Sequence, residues 1–250
     1  KSFLSSIQSY QFDGSADLNV SVENQKESKL PAAIHAEFNI KNGSMSTNLP
    51  LQIKYADIQG FYHNGKQRSN GTSTVEFQSF NCKINDQDLE ASLIYSNFNN
   101  PNIQTQFNTQ LDLTNIQQWG YQLPIQEISG RAKITANYKG KIGFKSNLKN
   151  DFEQAEKSAN IQLINASFLY KPLTLFQNLN GSMQLFNNRL KIDSLKGTNG
   201  AESKLKFIGS INDLFSQNKN LKIVGHLSSD WLKISEIIMR DTTQESAPFI

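Results

Sequence analysis

Between Pro172 and Leu232 apolar side chains fall at every second position in short runs: Met183 and Leu185, Leu190 and Ile192, Leu205 and Phe207, then Leu221, Ile223 and Leu227. A period of two puts such residues on one face of a β-sheet. Asn187-Asn188, Asn199-Gly200 and Ser216-Gln217-Asn218 separate the runs, residues that tolerate positive φ or bond their own backbone, so each break reads as a turn between antiparallel neighbours. The stretch predicts an antiparallel meander with one dry face.

The same alternation governs the chain from Tyr10. Ala16, Leu18, Val20 and Val22 face one way, with Asp17, Asn19, Ser21 and Glu23 facing the other. Glu23 to Lys29 is a polar loop, then Ile34, Ala36, Phe38 and Ile40 restart the pattern until Asn42-Gly43, an expected turn. Pro50 and Leu51 lead through Ile53, Tyr55 and Ile58 to Gly60, and Asn64-Gly65 with Asn70-Gly71 marks a hairpin tip. Val75 and Phe77 continue past an expected bulge at Ser79 to Phe80, Cys82 and Ile84. Leu89 to Tyr95 forms the next strand, and Ile103 to Leu113, with Phe107 and Leu111, alternates bulky and small residues without a charge on its apolar side. After a corner at Trp119–Pro124, Gly130 opens a second series through Ala132, Ile134, Ala136 and Tyr138, then Lys139-Gly140-Lys141 and Gly143. A helical turn capped by Asn150 is expected near Asp151. Ile161, Leu163, Ala166, Phe168 and Tyr170 then lead back to Pro172. Trp231 to Met239 reads as a short amphipathic helix or a last strand.

Similar pieces recur in the same order: Gly14 and Gly130 lie 116 positions apart, Pro50 and Pro172 lie 122 apart, and Asp112 and Asp230 lie 118 apart. The expectation is an all-β protein, an antiparallel sheet curved into an elongated groove or flattened barrel, with little helix. Two related repeat units would span 1–120 and 121–240, followed by a linker tail at 241–250.

Composition narrows the function classes. Hydrophobic residues make up 37% of 250 positions and mean hydropathy is -0.50, which suits a sheet with one wet face, with sixteen Phe and seven Tyr giving bulk to the dry one. The net charge of +3 is spread along the chain, which argues against a nucleic-acid partner. The lone Cys82 makes no internal disulfide and reads as a buried strand residue, and His35, His63 and His226 stand apart in sequence with no metal-ligand spacing. Asp86-Gln87-Asp88 and Asp151 to Glu156 fall where turns are expected, so they solvate rather than form an acid/base pair. Gly140 to Ser146 lacks the spacing of a phosphate loop. The Asn-x-Ser/Thr positions Asn42, Asn70, Asn165 and Asn180 read as turn chemistry. Catalytic residues, metals and cofactors are therefore not expected.

The order of Leu179-Asn180-Gly181, Leu190-Lys191-Ile192, Leu195-Lys196-Gly197, Leu205 to Gly209 and Asp230-Trp231-Leu232 resembles the C-terminal repeat region of AsmA-like proteins, over 172–232. That group is related to the TamB-like and bridge-like lipid transfer proteins. The resemblance implies a periplasmic segment of a Gram-negative envelope protein, anchored to the inner membrane through a part of the protein outside this segment. Its expected role is phospholipid transport or outer-membrane homeostasis, with phospholipid or another acyl-chain lipid as partner, and other envelope proteins beside it. The groove would be lined by Leu18, Val20, Phe38, Phe77, Leu93, Phe107, Leu111, Ile134, Phe168, Leu185, Ile192, Phe207 and Ile223. The alternative is a non-catalytic β interaction module that assists outer-membrane protein assembly through its sheet edges. Periodicity alone leaves open whether the apolar face is a filled core or a trough.

Overall fold

The computed structural model describes residues 11–24, 29–46, 52–115, 126–141, 148–169, 175–199, 203–215 and 222–231. Twelve strands follow one another: β1 (Gln11–Glu23), β2 (Ala33–Ser46), β3 (Ile53–His63), β4 (Thr74–Ile84), β5 (Gln87–Ser96), β6 (Asn102–Asp112), β7 (Gln126–Lys141), β8 (Glu156–Leu169), β9 (Leu175–Phe186), β10 (Arg189–Asn199), β11 (Ser203–Asn212) and β12 (Lys222–Ser228). They form one sheet in sequence order, antiparallel throughout, curved and unclosed. Of the two expected shapes the closed, flattened barrel is thereby excluded, because among the described residues β1 and β12 do not pair with each other and stand at the two ends of the sheet. A short helix, α1 (Leu148–Gln154), lies between β7 and β8, and 3-10 turns occur at Asn70–Thr72 and 113–115.

Local chemistry explains the turns and the bends. Asn85 and Asp86 both take positive φ, 46° and 68°, which builds the two-residue link between β4 and β5 that matches strand twist. The tip between β3 and β4 is tied down by Asn64, whose side-chain carbonyl accepts the Ile34 N–H at 3.0 Å while its amide donates to the Ala32 carbonyl at 2.8 Å. Curvature comes from bulges, where the register slips and the strand bends. One lies between Phe77 and Phe80, as Ser79 led us to expect.

Asn42-Gly43 does not end a strand. β2 runs through it to Ser46, and Asn42 is a bulge residue at φ 52°, its N–H donating to the Asp57 carboxylate at 2.9 Å. Asn165 plays the same part in β8, at φ 49°, with its N–H on the Asn180 side-chain oxygen at 3.0 Å. A positive-φ glycine of the preceding strand sits against each bulge. Gly14 (φ 125°) meets Asn42-Gly43, and Gly130 (φ 93°) meets Asn165-Ala166, so closely that a Cβ at either would overlap the neighbouring backbone. Positive φ serves turns and bulges equally, which is why the Asn-Gly signal misleads at position 42.

Two further expectations change. Asn150 lies within α1 and is not its cap, since the helix already starts at Leu148. A bulge between Ile53 and Tyr55 turns Tyr55 onto the polar face, where its hydroxyl donates to Asp57. The Phe3–Tyr10 start, the Pro50 and Pro172 leads, the Trp119–Pro124 corner, the turns at Gly200 and 216–218, the segment after Trp231 and the tail at 241–250 lie outside the described residues.

Candidate functional site: the apolar face

Strand register joins side chains into rows that cross the sheet. The longest takes one residue from each strand in turn: Ala16, Ile40, Ile58, Phe80, Ala91, Phe107, Ala136, Ala159, Leu185, Leu190, Ile211 and Ile223, each the direct partner of the next. Every one is apolar. At about 4.8 Å per strand the row is about 50 Å long. Beside it runs a second row: Ala56, Cys82, Leu89, Thr109, Ile134, Ile161, Met183, Ile192 and the facing glycines Gly209 and Gly225.

The sheet is curved, and the closer packing of side chains on the face carrying these rows marks that face as its inner, concave side. Ala132 and Ala166 are only 2% exposed although, among the described residues, no second layer of strands covers them. Their shielding comes from neighbouring side chains leaning together, as the inside of a bend requires. Positions on the opposite face, such as Lys133, Thr135, Asn137 and Asn160, are exposed. That convex face is a hydrophilic ladder from Asp57 through Asn81, Glu90, Asn108, Thr135, Asn160 and Gln184 to Lys191.

All thirteen residues expected to line a groove point to the concave side. In mid-sheet Phe38, Phe77, Leu93, Phe107, Leu111, Ile134, Phe168, Leu185 and Phe207 are half-buried, and Ile192 is buried. Toward the edges Leu18, Val20 and Ile223 are exposed. Leu113, Ala132, Ala166 and Leu179 form a small filled core at one end of β6–β9, joined by Leu111, Phe168 and Phe176. Elsewhere the floor is fitted by ring and glycine pairs. Phe38 and Phe77 meet edge-on over Gly60, their centroids 5.5 Å apart, and the Phe207 ring lies across Gly209 and Gly225. The lone thiol of Cys82 is in this floor, and burial pushes its pKa up to about 11, so it is a neutral packing group at physiological pH.

One cation interrupts the apolar face. Lys157 is 5% exposed opposite Tyr138, and its ammonium donates to the carbonyls of Phe152 (2.6 Å), Glu153 (3.1 Å) and Ala155 (3.2 Å), at the C-terminal end of α1. The Phe152 and Phe215 rings lie 4.9 and 5.4 Å from it. Burial lowers its pKa, an effect that Glu153 opposes. Phe152 stacks on Tyr138 with centroids 5.9 Å apart, and Ala155 occupies the space that a side chain at Gly140 would fill. Desolvation first, and Asp151 second, raise the Tyr138 hydroxyl. α1 thus covers the rim of the concave face above β7 and β8. Sequence reading missed this arrangement, although a lysine in phase with Ala159 and Ile161 was a visible break in the apolar pattern.

Chemistry beyond burial is sparse. His35 and His63, distant in sequence, are direct partners across β2 and β3, with Phe61 beside both and Glu37 3.3 Å from His35. This corrects the expectation that the histidines stand apart: an antiparallel hairpin brings its two far ends together. No group of three potential metal ligands occurs among the described residues. Hollows on the convex face, one of about 410 Å³ between Gln106, Asn137 and Ser158 with Ile94 and Phe186, and another of about 710 Å³ beside Asp17, Asn39 and Gln59, are open to solvent. No helix among the described residues is long and apolar enough to cross a membrane. No family model matches the chain, and neither a curated protein nor a solved structure shows significant similarity to it.

Proposed function

We propose that the concave face is a trough for acyl chains, and that the chain is a non-catalytic lipid-handling segment of the bacterial envelope. The observation that carries this reading is the unbroken apolar row through all twelve strands, on a face that no second sheet fills. A filled core would bring two such faces together. Each methylene taken from water onto the floor contributes about 0.8 kcal/mol, so eight of them contribute about 6 kcal/mol before the cost of association. Polar head groups would stay at the rim, and no bond chemistry is needed.

Assignment to the AsmA-like group rests on the motif order at 172–232, and with it the phospholipid ligand, the periplasmic location and the inner-membrane anchor outside this segment. Two repeat units are favoured by the matching of Gly14 and the Asn42 bulge with Gly130 and the Asn165 bulge, each a positive-φ glycine against a positive-φ asparagine one strand on. The test is native mass spectrometry with lipid extraction on protein purified without detergent from a Gram-negative host. Near-stoichiometric phospholipid is expected, and Phe107→Asp, at mid-row, should release it while the β circular-dichroism signal persists. Protein that carries no lipid and takes up neither added fatty acid nor phospholipid would overturn the reading.

A further inference from the structure

The two free edges differ in charge. Outward from β1 point Asp13, Asp17 and Glu23, with no basic residue in that strand; outward from β12 point Lys222, Val224, His226 and Ser228, with no acidic one. Both edges are exposed along their described length, and on the concave side they expose apolar residues that a neighbouring strand would cover: Leu18 at 68% and Ile223 at 60%. Neither strand contains proline or an inward-pointing charge, the usual devices that protect an edge.

We propose that this chain self-associates head to tail, β12 of one copy pairing with β1 of the next. Twelve is an even number, so β1 and β12 run in opposite directions, and the junction is antiparallel like every other pair in the sheet. Continuing the long apolar row across it sets the register. Ile223 faces Ala16 of the next copy, which puts Lys222 opposite Asp17, Gly225 opposite Gly14 and His226 opposite Asp13. On the convex side the Lys222 ammonium meets the Asp17 carboxylate and the His226 imidazole meets that of Asp13, and the apolar rows join on the concave side. The two-fold alternatives oppose like groups. Pairing β1 with β1 about a two-fold axis gathers Asp13, Asp17 and Glu23 of both copies with no cation between them, and pairing β12 with β12 gathers Lys222 and His226. A head-to-tail contact leaves an edge open at each end until a ring closes, so the assembly grows with concentration. It requires no lipid and stands independently of the trough.

The test is a charge swap followed by sedimentation velocity, with circular dichroism to verify folding. Wild-type protein should gain mass as concentration rises over about a hundredfold range, and lose it again in high salt. The double variant Lys222→Asp/His226→Asp should associate at least about tenfold more weakly, and Asp13→Lys/Asp17→Lys likewise, because each then presents two edges of one sign. Mixing the two variants should restore assembly. Disulfide trapping in a Cys82→Ser background fixes the register: Ala16→Cys with Ile223→Cys should cross-link between copies, and Ile223→Cys alone should not. Monomeric wild type at all concentrations, variants that assemble as well alone as mixed, or a dominant 223–223 cross-link would each overturn the proposal.

Discussion

Replacing Lys157 with methionine keeps the aliphatic stem and removes the ammonium that holds α1 over the rim. Three carbonyl contacts at 2.6, 3.1 and 3.2 Å and two ring contacts are lost. Hydrogen bonds from a charged donor are each worth about 1.5–3 kcal/mol, and a partly desolvated cation–π contact adds about 0.5–2. Against this stands the cost of burying the ammonium, several kcal/mol, together with the water that would satisfy the carbonyls once α1 opens. The difference is about 1–2 kcal/mol in favour of the closed helix, or roughly five- to thirtyfold in its opening equilibrium. Hydrogen exchange reads this directly at the Ala155 N–H, which bonds the Asp151 carbonyl at 3.0 Å. Exchange there should accelerate by that factor in Lys157→Met, while amides of β8 beyond Ala159 stay unchanged. A pH series adds the sign. The lysine pKa is lowered in the folded state, so the folded protein binds fewer protons than the unfolded chain as pH approaches the ordinary lysine value of about 10.4. Stability of wild type relative to Lys157→Met should therefore rise with pH in that window and stay flat near neutrality. Unaltered exchange at Ala155 would refute the clasp, and a difference that falls with pH would refute the burial that lowers the lysine pKa.

The floor makes two further predictions. In Gly60→Ala the new methyl would overlap the Glu76 carbonyl and stand 2.6 Å from the Phe38 ring, so the variant should lose about 1–3 kcal/mol, read as a lower urea midpoint, with the Phe38–Phe77 contact disturbed in aromatic NMR signals. Leu179→Ala, at 4% exposure in the small core at the end of β6–β9, should lose about 2–3 kcal/mol. That is the low end for a buried leucine, since a core one layer deep leaves room for collapse, and a midpoint unchanged from wild type would show that this cluster does not support the sheet.

Period-two alternation made the strands legible, and the tips at Asn64 and Asn85-Asp86 followed from residues suited to positive φ. Alternation fails wherever a bulge shifts the phase. Tyr55 was read in line with Ile53, yet one extra residue turns it to the wet face. Asn42-Gly43 carries the chemistry of a turn and a bulge alike, and only pairing with both neighbours decides between them. The thirteen residues expected to line a groove share one face, because the apolar phase resumes after each bulge, even where Phe77, Phe168 and Ile192 border register shifts. The row that joins them could not be read, since a row is a property of register between strands, fixed by bulges that local sequence marks faintly. Lys157 escaped notice for a related reason: its partners are main-chain carbonyls, which have no sequence signature.

Each strand of this sheet bonds only to the strands next to it in the chain. Contacts are therefore short in sequence, and the molecule behaves as a one-dimensional stack in which order can spread hairpin by hairpin from any nucleus. Adding or deleting an internal hairpin changes the length of the concave face by about 10 Å and leaves the antiparallel order and the sidedness of what remains intact. A protein on this plan is adjusted to a span as a ladder is, by the number of its rungs.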